Sequence, residues 1–459
     1  MRIKPRRPAH RVTTAHLQAA YPFVSEGGLG SDGVYIGRDV FGGSFCYDVW
    51  CLYGREITGP NMLVIGQIGY AKSSLVKTLL WRQMLFGRTA WIIDPKGEYE
   101  QLAAYCGAEP IRFRSGGTLR LNPLDPMIAG DAQLALLRSI AGVMLGRNLR
   151  PEEEACLERA HHEAVIEAAN RHAQATVPQV VNRLLEPSDA TAHELRTSTV
   201  RLAEDGRQLA LALRRMGSGD LRGMFDGPTS RDFDLSGRLV VFNLRDVKDE
   251  ARPILMACTA AWLQGSWARN DGVRRIVVLD EAWVVLRHLA IARWLRESWK
   301  LARQYGVQNI AVMHRLSDLT AAGDAGSEQV QLAKGLLEDS ETRVIYRQSP
   351  GEVEQARELL GLTQTECDQI PMLERGEALW RVGRRSFIVQ HRIEGTIETP
   401  MSSICSTLLW RRMGGLLLMT RLRRPRTAAA PPRARSVGPC WRRCRRSRAR
   451  SCPRCGAAR

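Results

Sequence analysis

What this sequence lacks narrows the reading first. It has no run of about 18 or more uncharged apolar residues, so no membrane-spanning helix is expected. The N-terminal stretch MRIKPRRPAHR is basic but carries no apolar segment of the kind a secretory leader needs, and reads as a solvated arm. Residues 401–459 contain no Asp, no Glu and no Lys, yet hold 16 Arg. That imbalance accounts for most of the formal net charge of +18. Without those Arg, 50 basic residues face 48 acidic ones, a net of +2. The body is close to neutral, so charge gives no argument that it grips nucleic acid. The same final segment has no periodicity, is rich in Arg, Pro, Ala and Cys, and reads as disordered. A shifted reading frame over a GC-rich gene would give this composition. The functional alternative is a polycationic arm for DNA or anionic lipid.

Cysteine is present, but not in a pattern that staples a fold. Cys46, Cys51, Cys106, Cys156, Cys258 and Cys367 are scattered, as suits a reduced cytosolic protein. Cys440, Cys444, Cys452 and Cys455 include a C-x-x-C pair, whose spacing admits zinc. The surrounding chain offers no segment that would fold around it.

What is there centres on residues 62–80, MLVIGQIGYAKSSLVKTLL. Met62 to Ile65 read as a buried strand. Gly66, Gln67, Ile68, Gly69, Tyr70 and Ala71 form a small-residue turn, and Lys72, Ser73 and Ser74 open a helix. A strand, a loop and a helix N-terminus in that order make a phosphate cradle of free backbone N–H groups. Lys72 would reach the β- and γ-phosphates of a nucleotide, and the Ser73 hydroxyl would sit on Mg²⁺. The pattern asked for is G-x-x-x-x-G-K-[ST]; here Ala71 stands in place of the last Gly, and Ala pays more than Gly for positive φ. Taken alone, the stretch has a second, less favoured reading, a Gly-rich turn before a helix.

A second strand, 89–93, ends at Asp94 with Glu98 close behind. Both would sit at the carboxyl edge of an open α/β sheet, where ligands bind. The other reading is an Asp-Pro turn and a helix-starting Glu. Residues 130–225 carry only helical spacing and read as an all-helical insertion. Within it, His161 and His162 lie on a charged helix and read as solvated. The sheet resumes at 238–244, and the segment RRIVVLDEAWVVL ends four β-formers in Asp280-Glu281. Such a strand would deliver Asp280 to a water on Mg²⁺ and Glu281 to the attacking water. Further strands are expected at 308–314 and 342–348, with a closing hairpin turning at Gly383-Arg384. Strands alternating with helices imply a mainly parallel sheet.

GQIGYAKSSLVKT, WIIDPKGEYEQL, VVLDEAW and LARQYGVQNIAVMHRLSDL, in this order, resemble the HerA/FtsK superfamily of P-loop motor ATPases. DPKGEY and DEAW are most similar to the TraC-like large cytoplasmic ATPases of conjugative type IV secretion. The resemblance covers about residues 30–395. It implies an α/β, RecA-like P-loop NTPase core, ATP and Mg²⁺ as ligands, and hydrolysis that powers DNA or protein transfer. It further implies a homo-oligomer, often hexameric, working with secretion or conjugation components, with DNA as a further partner. Location would be cytoplasmic or peripheral at the inner face of the membrane, which would be met only through partners. Arg303, in A-R-Q-Y-G, matches the position that reaches into a neighbour's site; read by itself, it is a helix-end cation. His314 stands where the family has a Gln that senses the γ-phosphate. The large N-terminal domain of full-length secretion ATPases has no counterpart here.

The expected organisation is a basic arm (1–22), a small β region (23–58), the first part of the ATPase core (59–129), a helical insertion (130–235), the second part (236–395) and the tail (396–459). Two other functions fit the same residues: a HerA-type DNA translocase, and a nucleotide-gated assembly module with little hydrolysis, which Ala71 and His314 favour.

Overall fold

The structure, a computed structural model, describes residues 28–217, 221–230, 233, 235, 237–267, 272–315, 317 and 328–392. The basic arm, the Arg-rich tail and its C-x-x-C pair lie outside the described residues.

Eleven strands form one sheet: β1 (Val34–Asp39), β2 (Ser44–Tyr47), β3 (Met62–Ile65), β4 (Thr89–Asp94), β5 (Ile111–Arg112), β6 (Leu239–Asn243), β7 (Arg275–Leu279), β8 (Val307–Met313), β9 (Thr342–Tyr346), β10 (Glu377–Val382) and β11 (Arg385–His391). Their order is β2-β1-β11-β10-β9-β3-β8-β7-β4-β6-β5. From β9 to β5 every neighbour is parallel; from β2 to β9 every neighbour is antiparallel. The parallel strands are covered on both faces. Hence MLVI of β3 and LVVFN of β6 are buried at every position rather than alternately. This is the mainly parallel α/β sheet that the alternation of strands and helices predicts.

Two features of the sheet were not visible in the pattern. The strands of residues 23–58 do not stand apart: β1 pairs with β11, Gly37 opposite His391, so the start and end of the described chain close the antiparallel flank together. Gly37 is needed there, since a Cβ would lie 2.0 Å from the Gln390 carbonyl oxygen. The edge strand β5 is two residues long, too short to leave a periodic signal.

Between β5 and β6 the described residues hold no strand. Helices Gly130–Leu145, Pro151–Asn170, Val177–Leu185, Asp189–Glu194 and Thr199–Arg214 follow one another. Val177, Val180, Val181 and Leu184 bury one stripe of their helix at the spacing that 3.6 residues per turn requires. Leu157, His161, Ala164 and Ala168 do the same on theirs. His161 is therefore buried, not solvated: its Nε2 lies 3.1 Å from Gln133 Oε1, and burial lowers its pKa. His162, one residue on, is exposed as expected. The insertion shares a continuous core with the sheet, from Leu137 and Ile140 through Leu295 and Trp299 to Val277 and Ile93. Among the described residues, no helix is long and apolar enough to cross a membrane.

Candidate functional site

The loop after β3 is shaped by close packing at its base. A Cβ on Gly66 would lie 2.4 Å from the Tyr346 Cβ of β9, so only glycine leaves the strand there. The turn then rises to Ile68, which is 76% exposed, and returns through Ala71 to the helix Lys72–Leu85. Ala71 has φ 75° and ψ 23°, the left-handed conformation that glycine takes at little cost. Lys72 is buried, and its Nζ donates to the carbonyls of Gly66 and Gln67, the latter at 2.9 Å. Burial pushes its pKa down to about 8, against the pull of the Asp280 and Glu281 carboxylates. Ser73 and Ser74 are half-buried on the first turn. On the β9 side of the loop, the Arg347 guanidinium lies 5.7 Å from the centre of the Tyr70 ring.

The parallel register brings the acids to the same edge. Ile65 of β3 is level with Met313 of β8, and Ala311 of β8 with Leu279 of β7. His314, Asp280 and Glu281 therefore leave their strands beside the loop. Asp280 is 3% exposed, and its side chain accepts the Glu281 N–H at 3.0 Å. Burial, then the neighbouring carboxylates Glu281, Glu98 and Asp94, push its pKa up to about 8. Glu281 adopts φ 52°, a strained setting for a residue with a side chain. Its Oε1 lies 2.6 Å from His314 Nε2 and 2.5 Å from Lys96 Nζ, and its Oε2 accepts from Trp283 Nε1. Burial alone would raise its pKa; hydrogen bonds from His314, Lys96 and Trp283 outweigh it and hold the group at about 2.

Asp94 does other work. Its carboxylate accepts the backbone N–H groups of Lys96, Gly97, Glu98 and Tyr99, at 3.2, 2.8, 3.1 and 2.9 Å. Of its two readings, the geometry supports the turn-former. That turn aims Lys96 at Glu281 and leaves Glu98 exposed at the rim. Lys96 and Trp283 were not singled out in the sequence, although both lie inside the motifs DPKGEY and DEAW. Their part is visible only as contacts with Glu281. Arg303 is not brought to the loop. It is exposed at the end of helix Leu289–Ala302, before β8 begins, at the opposite edge of the sheet. The length of β8, about 23 Å for seven extended residues, separates it from its own chain's loop.

The donor set suits a hard cation. A buried carboxylate crowded by other carboxylates, at the sheet edge where Ser73 opens its helix, offers oxygen ligands of the kind Mg²⁺ takes. Among the described residues no three His, Cys, Asp or Glu could hold a metal by themselves. A cation at Ser73 and Asp280 would complete its shell with phosphate and water oxygens.

A phosphate loop on a strand's carboxyl end, facing an Asp-Glu pair two strands away, defines the P-loop NTPase class. Residues 224–397 match the family model of the TraG P-loop domain. Among solved structures, VirB4 of Thermoanaerobacter pseudethanolicus is similar at 23% identity and TM-score 0.66, over 79% of this chain and 97% of that one. The plasmid coupling protein TrwB is similar in its complex with the ATP analogue ADPNP, at 15% identity and TM-score 0.55, over 80% and 91% of the two chains. It is similar again in its complex with ADP and Mg²⁺, at 15% identity and TM-score 0.54, over 80% and 92%. At these identities the likeness is one of fold. No curated protein matches the chain. The chain thus matches a TraG P-loop domain over part of its length and shares the fold of VirB4 and TrwB, in keeping with the conjugation ATPases that its motifs resemble.

Proposed function

We propose that this chain is an ATP-hydrolysing motor that powers DNA or protein transfer through a conjugative type IV secretion apparatus. The observation that carries the reading is the meeting of Lys72, Ser73, Asp280, Glu281 and His314 at one edge of the sheet. Gly66, Gln67, Ile68, Gly69, Tyr70, Ala71 and Ser74 complete the phosphate cradle. Backbone N–H groups there and the Lys72 ammonium take the phosphates. Ser73 and Asp280 would hold Mg²⁺, which when bound would supply Lewis acidity toward the phosphate oxygens. Glu281 accepts a proton from water as its oxygen bonds to the γ-phosphorus and the bond to the bridging oxygen of ADP breaks. His314 lies beside Glu281 where it would meet the γ-phosphate.

Arg303, lying at the far edge, would serve a neighbouring subunit's site and not its own. This favours a ring, and a hexamer is the form we propose. The partners would be secretion or conjugation components and their cargo, DNA included. The location would be the cytoplasm or the inner face of the membrane, reached through those partners.

Two observations favour a second reading. Glu281 is engaged by three donors and Ala71 is strained, as in a module that binds ATP, assembles and hardly hydrolyses. Phosphate release by the full chain, over a range of protein concentrations and beside Lys72→Ala, separates the two. Turnover per subunit that rises with concentration and vanishes in the variant is expected of the motor. Tight ATP binding without phosphate release would replace it with the assembly module.

A further inference from the structure

Lys96 occupies a place that the reading above leaves unexplained. Its ammonium lies 2.5 Å from Glu281 Oε1 and 3.1 Å from His314 Nε2. The Asp94-centred turn fixes its backbone, and the ion pair with Glu281 holds its side chain. It is also half-exposed, with its side chain 44% accessible, and lines a cavity of about 930 Å³ together with Glu281, Met144, Arg215, Trp283 and Arg287. Its positive charge is felt at the buried Lys72, the residue that marks the phosphates. Two ammonium groups therefore act on the Asp280-Glu281 pair, Lys96 through its ion pair with Glu281 and Lys72 through the field of both carboxylates. Like charges so placed are stabilised together by a polyphosphate, which carries more negative charge than one carboxylate.

We infer that Lys96 is a second phosphate-contacting residue, which leaves Glu281 for the γ-phosphate of bound ATP and thereby frees the Glu281 carboxylate to take the proton of water. Without a γ-phosphate, the ion pair holds Glu281 out of use. With one, the same ammonium neutralises charge on the transferring group. ADP offers nothing at that position and leaves the pair closed. Lys96 thus couples the presence of the third phosphate to the availability of the base. The inference rests on the nucleotide-site reading above.

The test is calorimetric binding of ADP and of a non-hydrolysable ATP analogue, each with Mg²⁺, to the full-length wild type, Lys96→Ala, Lys96→Arg and Lys72→Ala, with phosphate release measured alongside. In Lys96→Ala, ADP affinity is expected to stay within about twofold, while the ATP analogue weakens about tenfold or more and kcat falls about tenfold or more, as a lost charge-assisted contact requires. Lys96→Arg, which keeps the charge, is expected to recover most of the preference for the analogue. Equal weakening of both nucleotides, unchanged affinity for both, or turnover that is unchanged or raised in Lys96→Ala would overturn the inference. If those results come with Lys72→Ala still abolishing binding, the nucleotide site stands and Lys96 alone is misassigned. A wild type that binds neither nucleotide overturns both.

Discussion

Asp280 and Glu281 are adjacent in sequence, yet their surroundings push them in opposite directions. Asp280, buried among carboxylates, rises from 3.8 to about 8; Glu281, held by His314, Lys96 and Trp283, falls from 4.5 to about 2. The consequences for stability have opposite signs. Between about pH 4 and 8 the folded, metal-free chain keeps a proton on Asp280 that the unfolded chain has lost, so stability falls as pH rises through that window. The slope is at most about 1.4 kcal/mol per pH unit. Glu281 adds stability above about pH 4.5 that is lost as pH falls toward 2. Thermal unfolding of Asp280→Asn in the presence of chelator should therefore lack the decline between pH 5 and 8 and exceed wild type at about pH 8. A wild type with no such decline would contradict the burial argument. Glu281→Gln is expected to keep nucleotide binding while turnover falls about 100-fold or more, which binding and phosphate-release assays would check. Unchanged turnover would remove Glu281 from its role. These residues were legible as a strand ending in two acids. Their opposite protonation was not, because it depends on His314, Lys96 and Trp283, which arrive from elsewhere in the chain or around a turn.

The phosphate loop is the element in which local sequence and local strain meet. The departure from glycine at Ala71 falls on a left-handed residue, so the cost read from the motif is real in the backbone. Ala71→Gly should relieve it and raise stability by about 0.5–1 kcal/mol, seen as a higher denaturant midpoint with an unchanged slope. A fall in stability would mean that the methyl group packs usefully and outweighs the strain. At the other end of the loop, Gly66→Ala would drive a Cβ into Tyr346, 2.4 Å away, and should cost about 1–3 kcal/mol on the same measurement. The strands of the parallel half were legible because burial on both faces leaves continuous apolar runs such as AWII and IVVL. The edge strand β5 was not, because two residues carry no period. His161 was misread because charge on a helix says nothing about which stripe turns inward; Leu157, Ala164 and Ala168 share its face and settle it.

At the scale of the whole molecule, the sheet puts the loop and Arg303 on opposite edges. On the proposed ring, such a subunit would carry half of each of two sites. Mixing Arg303→Ala with Lys72→Ala tests this directly. Each variant alone should be inactive. An equal mixture should regain up to about a quarter of wild-type turnover, since random neighbours in a closed ring pair an intact loop with an intact Arg at that frequency. No recovery would mean that Arg303 completes no neighbour's site. The insertion is part of the same scale. Its helices share the core of the sheet through Leu137, Leu295 and Val277, so any movement of one during a nucleotide cycle would be transmitted to the other.

The sequence by itself determined the class of fold and the build of the loop. Both follow from short-range facts: apolar runs that must be buried, small residues that let a backbone turn, and a lysine and serine at a helix start. Tertiary structure alone decided what surrounds the acids. The register of β3, β8 and β7 places His314 against Glu281, although 33 residues separate them in sequence. The Asp94 turn places Lys96 against the same carboxylate across a still longer stretch of chain. Such contacts are fixed by hydrogen bonds between strands and by the packing of faces, and no local window of sequence contains both partners.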